Sequence, residues 1–517
     1  MSNSFDVIVV GGGHAGVEAA YAAARLGANT ALITMSVETI AQMSCNPAIG
    51  GLAKGQIVRE IDALGGLMGL AIDATGIQFR MLNRSKGPAV WGPRAQADKW
   101  KYQEKIRALL AECPNLTILE DSVADIQVKE GKVNGVICES GRVYAATAVI
   151  LTTGTFLRGL MHLGTRQWAG GRYGEPAANE LSGGLERIGL KLGRLKTGTP
   201  ARIHGQSIHY EVLQPQPGDA EPEPFSFLND RIEQEQMNCW ITYTNERTHQ
   251  IIKDNLESAP LYTGQIQSIG PRYCPSIETK IIRFADKTRH QLFLEPEGRD
   301  SDWIYCNGIS TSLPPEVQDQ MIHSIAGLEQ AEILRYGYAI EYDYVPPQQI
   351  RATLESKAAA GLFLAGQING TSGYEEAGGQ GLLAGVNAAR YCRKEEMVTL
   401  GRDQSYIGVM VDDLVTRGVD EPYRMFTSRA EYRLLLRGDN ADERLTPVGR
   451  RWGLVDNKRW QAFERKQGEV RELTDYLQQK RLEGKTLAQW IRQQEKDGEW
   501  LITQEPELAG KKYGKFA

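Results

Sequence analysis

The chain opens on an unbroken apolar run, Val7-Ile8-Val9-Val10, behind Asp6, which predicts a short strand buried on both faces. Gly11 to Gly16 follow, then an alanine-rich helical stretch, Val17 to Leu26, stopped by Gly27, and a second apolar strand, Thr30 to Thr34. Strand, helix and strand in that order predict a parallel sheet. From Leu116 the period shortens, and Leu116–Leu119, Val123–Val128, Val133–Cys138 and Ala148–Leu151 read as strands, with turns at Glu130-Gly131 and Ser140-Gly141. Past Arg202 the composition changes again. Ser207–Leu213 and Cys239–Thr244 read as strands, Pro215–Pro224 as an exposed loop and Thr248–Ser258 as a helix. Leu362-Phe363-Leu364 returns to a buried strand, the helix Glu375–Arg390 follows, and beyond Gly401 the pattern is helical and highly charged.

Composition narrows this picture. The 517 residues have room for about three domains. Seven unclustered cysteines offer neither a metal-spaced set nor a paired framework, so no metal is expected and any special cysteine is a reactive thiol. The N-terminus carries no basic segment and its apolar run is too short for a membrane span, so the chain reads as cytosolic with no membrane association. A net charge of -5 excludes a generic nucleic-acid coat; RNA would have to meet a local patch.

Gly11, Gly13 and Gly16 form a GxGxxG turn between strand and helix, where the backbone can approach a diphosphate held at the helix N-terminus. The acidic residue usual at the end of the second strand is missing: Thr34-Met35-Ser36 stands there, leaving the ribose partner open. A second glycine strand end, Gly366-Gln367, precedes a helix with small residues from Ala377 to Gly385, expected to allow close approach to a flavin ring and the sheet. The strand Val149–Leu151 ends at Thr152-Thr153-Gly154. Together these predict an α/β fold: a Rossmann-like FAD-binding domain of the glutathione-reductase type (1–202 and 269–400), an inserted α/β domain (203–268) and a C-terminal helical region (401–517).

Two cysteines sit in turn-forming loops, Cys45 in MSCNPAIGG and Cys274 in GPRYCPSIE, where Arg272 stands near the thiol. A nearby cation raises the thiolate fraction. With GGGHAG, LNRSKGPAV, GRLKTGTP, FLEPEG, NGISTSLP, AGQINGTSGYEEA and PYRMFTSRAEYRLLLR, these segments resemble, in order from Asp6 to about Leu454, the MnmG (GidA) family of tRNA uridine 5-carboxymethylaminomethyl modification enzymes.

That resemblance implies a homodimeric FAD enzyme that works with the GTPase MnmE, two copies of each, to build an aminomethyl or carboxymethylaminomethyl group on carbon 5 of the wobble uridine. It implies carbon from methylenetetrahydrofolate and reducing power from NADH. Gly11, Gly12, Gly13, His14, Ala15, Gly16, Val123, Gly154, Ala178, Gly366 and Gln367 fall at FAD positions. Relatives carry serine where Ala178 stands. The segment Gly270–Phe284 matches the NAD stretch, with Gly270, Pro271, Arg272, Tyr273, Pro275, Ser276, Ile277 and Glu278 as its contacts. Cys45 and Cys274 match the two cysteines required for activity, one expected as nucleophile and the other in acid–base steps.

For RNA, Arg429, Arg433 and Arg437 recur every fourth residue, an arginine stripe if the segment is helical, joined by Arg424. Lys54, Arg194 and Lys196 are further candidates, with Arg59, Arg84, Lys86 and Arg202 nearby. The chain ends at Ala517, short of the family's usual length, so either it is a truncated form or the contacts made by a fuller helical domain are weakened. A folate- and FAD-dependent tRNA uridine methyltransferase of the TrmFO type, and a scaffold holding flavin only structurally, are the alternatives.

Overall fold

The computed structural model describes residues 3–272, 275–493, 500, 503 and 505. It divides into two compact units, 1–454 and 455–517.

The first unit is organised by a seven-stranded sheet. Strand β1 (Ser4–Val10) lies between β2 (Thr30–Thr34) and the long β6 (Val143–Leu151), parallel to both. The strand β3 (Leu116–Glu120) extends the parallel half beyond β2, so it belongs to the sheet edge rather than to the meander. The meander itself is β4 (Val123–Lys129), β5 (Lys132–Cys138) and the start of β6, all antiparallel. The last three residues of β6 pair instead with β7 (Leu362–Leu364), which joins the chain's distant glycine strand to its first.

Helix α1 (His14–Arg25) and helix α2 (Tyr374–Cys392) pack together on this sheet. A Cβ on Gly381 or Gly385 would overlap the backbone carbonyl of Ala15 or Ala19. Gly381 and Gly385 therefore serve helix–helix contact: a stripe of small residues shows that something comes close without saying what.

Three smaller sheets complete the unit. One is antiparallel, from 166–169, 160–163, 338–344 and 193–199; another joins 48–50, 92–97 and 76–82. The third has six strands in the order 214–216, 239–243, 291–296, 303–307, 202–204 and 333–335. Its strands come from both sides of residue 268, so the expected 203–268 limit separates Cys239–Tyr243 from its partner Gln291–Pro296. The expected strand at 207–213 is instead two short 3-10 turns, at Gly205–Ser207 and Tyr210–Val212.

The expected helical region 401–517 is divided: 401–454 belong to the first unit, and the described part of the second holds the helix Asn457–Gln479, a hairpin of two-residue strands and Leu487–Ile491. Leu473 and Leu487 form its small core, and the Trp490 and Trp500 rings lie 6.1 Å apart. Among the described residues, no helix is long and apolar enough to cross a membrane and no group of three acidic, histidine or cysteine side chains is placed to hold a metal.

Candidate functional site

The glycine turn closes because its glycines have no side chain. Gly11 has φ +105°, and a Cβ on Gly16 would overlap the Gly11 carbonyl. The hydroxyl of Thr152, at the end of β6, donates to the carbonyls of Val10 and Gly11 at 2.8 and 2.9 Å and locks turn to sheet. Gly13, by contrast, is exposed, and a Cβ there would meet no atom within 4 Å.

In front of this turn is a cleft of about 690 Å³, open mouth included. Gly11, Gly12, Gly13, Val123, Gly154 and Ala178 line it, six residues from four separate parts of the chain. Two buried hydroxyls on its wall, Ser122 Oγ and Thr153 Oγ1, have no hydrogen-bond partner among the described residues. Orphaned buried polar atoms in an apolar-lined cleft fit a ligand with polar edges. Sequence reasoning missed Asp121 and Ser122, which also line the cleft. Asp121 ends up beside the second strand because its backbone N–H donates to Thr34 (2.9 Å), bringing a carboxylate from the neighbouring strand to the place where the second strand has none.

Gly366 and Gln367 are not on this wall. Gly366 packs on the other side of the turn, where its Cβ would come within 3.0 Å of the Ala15 methyl, and its N–H donates to Gln380. His14 and Ala15 are buried. The His14 ring stacks between Tyr102 and Tyr374, centroids 5.7 and 4.3 Å away, and its Nε2 has no partner among the described residues. Burial, reinforced by Arg172 and Lys54, lowers its pKa to about 3, so it is neutral at ordinary pH.

The first turn of α2 holds the Cys45 loop. The Cys45 N–H donates to the Tyr374 hydroxyl (3.0 Å), the Gly50 N–H to Glu375 (2.6 Å), and Lys54 Nζ lies 2.6 and 3.1 Å from Glu375 and Glu376. Arg172 joins loop to cleft: it lines the cleft, forms a bidentate pair with Glu175 and donates to Ser44 Oγ at 3.3 Å. The sulfur of Cys45 is 3.1 Å from the Tyr305 hydroxyl and 3.7 Å from the Gly198 carbonyl oxygen. Burial pushes the thiols of Cys138, Cys239, Cys306 and Cys392 up to about 12 and that of Cys113 to about 11, which marks these five as inert.

Cys274 and Tyr273 lie outside the described residues. The segment before them is tied to the strand 193–199: Ile269 bridges Leu195 and accepts the Lys196 N–H at 3.1 Å. Gly198, on the same strand, faces Cys45, so the two cysteine-bearing segments meet one strand about 10 Å apart. Gly270, Pro271, Arg272, Pro275, Ser276, Ile277 and Glu278 are not among the residues lining the cleft. Ser276 caps the helix Ile277–Arg283, Ile277 is wholly buried in the core of the six-stranded sheet, and Glu278 accepts from Thr311.

The arginine stripe does not exist. Thr427–Arg429 is a single 3-10 turn and 431–435 an irregular turn, so a spacing of four does not align Arg429, Arg433 and Arg437. Arg429 stacks on Tyr423, Arg437 pairs with Asp439 and Arg433 is exposed. Arg424 carries a buried Nε without a hydrogen-bond partner. Lys54 is held by its two glutamates, whose attraction outweighs burial and raises its pKa; Arg194 pairs with Asp343 at 2.6 Å, and Lys196 is buried. The exposed cations of the candidate set are Arg84, Lys86, Arg194 and Arg433, of which Arg84 pairs with Asp219 and Arg194 with Asp343.

Compared with known proteins, residues 6–396 match the family model described as glucose inhibited division protein A. The curated tRNA uridine 5-carboxymethylaminomethyl modification enzyme MnmG of Rhodopirellula baltica is 57% identical, over 98% of this chain and 80% of its own length. That of Thermodesulfovibrio yellowstonii is 58% identical over 89% of this chain and 74% of its own. Among solved structures, Aquifex aeolicus GidA in two crystal forms superposes with TM-scores of 0.88 and 0.90. The identities are 52 and 53%, covering 93 and 94% of this chain and 78 and 82% of theirs.

Proposed function

Because the chain belongs to the glucose inhibited division protein A (GidA) family, we propose that it is a cytoplasmic FAD enzyme that modifies carbon 5 of the wobble uridine of tRNA. In this reading NADH supplies electrons, methylenetetrahydrofolate supplies carbon, and the protein acts as a homodimer with the GTPase MnmE. One observation carries it: an open cleft at a glycine turn is joined through Arg172 to Ser44, the residue before the Cys45 thiol.

The backbone N–H groups of Gly12 and Gly13 at the start of α1 would hold the FAD diphosphate, Asp121 and Ser122 the ribose, and Thr153, Val123, Gly154 and Ala178 the remaining wall. Gly366 and Gln367 would bound it from the far side of the turn. Once bound, the flavin supplies two-electron redox chemistry between NADH and the new carbon. The NAD assignment of 270–284 rests on family resemblance alone.

The chain's own contribution is the thiol. As a thiolate, Cys45 adds to carbon 6 of uracil: the S–C6 bond forms and the C5–C6 π pair moves onto the C4 oxygen, giving an enolate. Carbon 5 is then nucleophilic and bonds the one-carbon electrophile. Loss of the C5 proton to a base expels the sulfur and restores the ring. Cys274 is assigned the acid–base role. Neutral His14 and the Tyr102 and Tyr374 rings wall this loop and exclude water around it.

Phosphate contacts are assigned to the exposed cations Arg84, Lys86, Arg194 and Arg433. The test is reconstitution with FAD, NADH, methylenetetrahydrofolate, an amine donor, GTP, the GTPase and tRNA. Change at a different uridine would favour a methyltransferase of the TrmFO type, and flavin that NADH fails to reduce would favour a scaffold.

A further inference from the structure

Behind the Cys45 sulfur runs a buried chain of contacts that begins two strands away. Glu297 is fully buried and holds two cations, Lys99 and Arg202, the latter at 3.2 Å. Burial works against the Arg202 charge, but Glu297 outweighs it, so the guanidinium stays protonated. Its other nitrogens donate to Thr199 Oγ1 (2.5 Å), to the Pro200 carbonyl (3.0 Å) and to the Ser44 carbonyl (2.7 Å), which fixes the residue next to the cysteine.

Arg202 and Tyr305 are direct partners across antiparallel strands, and the guanidinium carbon stands 4.8 Å from the Tyr305 ring centroid. A cation over the face of a phenol stabilises negative charge on its oxygen and makes its O–H a better donor. That hydroxyl is the group 3.1 Å from Cys45 Sγ.

We propose that Tyr305, charged from behind by Arg202, is the hydrogen-bond donor that holds the Cys45 sulfur as a thiolate. The proposal rests on the reading of Cys45 as the nucleophile. In the resting thiol the shared proton can sit on either atom. When the thiol proton leaves to solvent, the phenol keeps its own and points it at the sulfur. While sulfur is bonded to carbon 6 its charge is gone and the phenol bond weakens; when sulfur is expelled with its bonding pair, the same bond receives it.

Among the described residues, the groups facing this sulfur are Arg202, Tyr305, Tyr338 and Tyr374, with Arg172 one residue away on Ser44. Tyr374 accepts the Cys45 backbone N–H, and burial holds the Tyr338 and Tyr374 phenols above their ordinary values, so both stay neutral. Among the described residues Arg202 is the full charge that Tyr305 connects to the sulfur.

The test is the pH dependence of iodoacetamide alkylation at the Cys45 peptide, followed by mass spectrometry in the full-length protein. Tyr305→Phe removes the donor and leaves the ring on Arg202. Its alkylation midpoint is expected to rise by about one unit or more, a tenfold or greater slowing below both midpoints. Placing 3-fluorotyrosine at position 305, a more acidic phenol of nearly the same shape, is expected to lower the midpoint. This second variant decides the matter should the phenylalanine protein not fold. A midpoint that stays where it is with fluorotyrosine, or with phenylalanine in a folded protein, overturns the proposal. Tyr305 donation and Cys45 nucleophilicity fail separately. Cys45→Ser enzyme that still modifies tRNA removes the nucleophile reading, whatever the alkylation midpoints show.

Discussion

Gly13→Ala separates a ligand-binding turn from a merely structural one. Gly13 has φ -73° and ψ -176°, a conformation alanine adopts without strain, and nothing lies within 4 Å of the new methyl. Two effects on stability oppose each other. Alanine reduces the freedom of the unfolded chain, worth about 0.4–1 kcal/mol. It is also a poorer residue than glycine at a helix N-cap, by an amount of the same order. The unliganded protein should therefore unfold within about 1 kcal/mol of wild type. Flavin binding should respond differently, because the methyl fills the space through which a diphosphate reaches the backbone N–H groups. Forcing an extra methyl into a packed contact costs about 1–3 kcal/mol, or roughly 5- to 160-fold in Kd. The assays are a fluorescence-quenching titration with FAD and thermal unfolding of the apoprotein. Wild-type affinity in a folded Gly13→Ala protein would mean that the turn is only a strand–helix junction. Gly16→Ala serves as the contrast, since its methyl overlaps Gly11 and should damage stability and binding together.

Three further outcomes follow from the packing. Lys54→Met leaves Glu375 and Glu376 buried without their cation, so unfolding free energy should fall by about 3–5 kcal/mol, read in denaturant melts; a loss of tRNA affinity with unchanged stability would restore Lys54 to the RNA surface. Arg433→Glu should weaken tRNA binding and flatten its salt dependence, while Arg437, paired with Asp439, should matter less; titrations at several salt concentrations decide. Asp73 is buried, and desolvation raises its pKa to about 7, although it accepts from Phe225, Ser226 and Asn229. The folded state therefore binds this proton more tightly than the unfolded chain. Its contribution is complete below about pH 4 and is lost as pH rises toward about 7. Asp73→Asn should remove that part of the slope in urea midpoints between pH 4.5 and 7.5, and an unchanged slope would reject the assignment.

Local pattern was enough to read the first strand, the glycine turn, α1 and the meander, because their signals lie within a few residues. Each of β6 and β7 read as a buried strand, but their pairing, more than two hundred residues apart, was not legible in local pattern. Periodicity misled where the chain is not periodic. The arginines at 429, 433 and 437 have helical spacing, yet the segment turns at 427–429 and 431–435. Small residues in α2 signalled close approach but could not name the neighbour, which is α1. The thiol's own surroundings were invisible in sequence: Tyr305 reaches Cys45 across 260 positions, and Arg202 is brought under it only by cross-strand register. Asp121 was missed for a related reason. The search for a ribose partner followed the end of the second strand, whereas the carboxylate comes from the strand beside it.

The central claim is that a flavin and the Cys45 thiol act together on a wobble uridine. Nucleoside analysis of tRNA after reconstitution with FAD, NADH, methylenetetrahydrofolate, an amine donor, GTP and the GTPase tests it most directly. The account predicts a new carbon-5 substituent at the wobble position with the wild-type chain and none with Cys45→Ser at equal flavin content. Wobble uridine left unchanged by the complete wild-type mixture, or modified equally well by the serine variant, would contradict it.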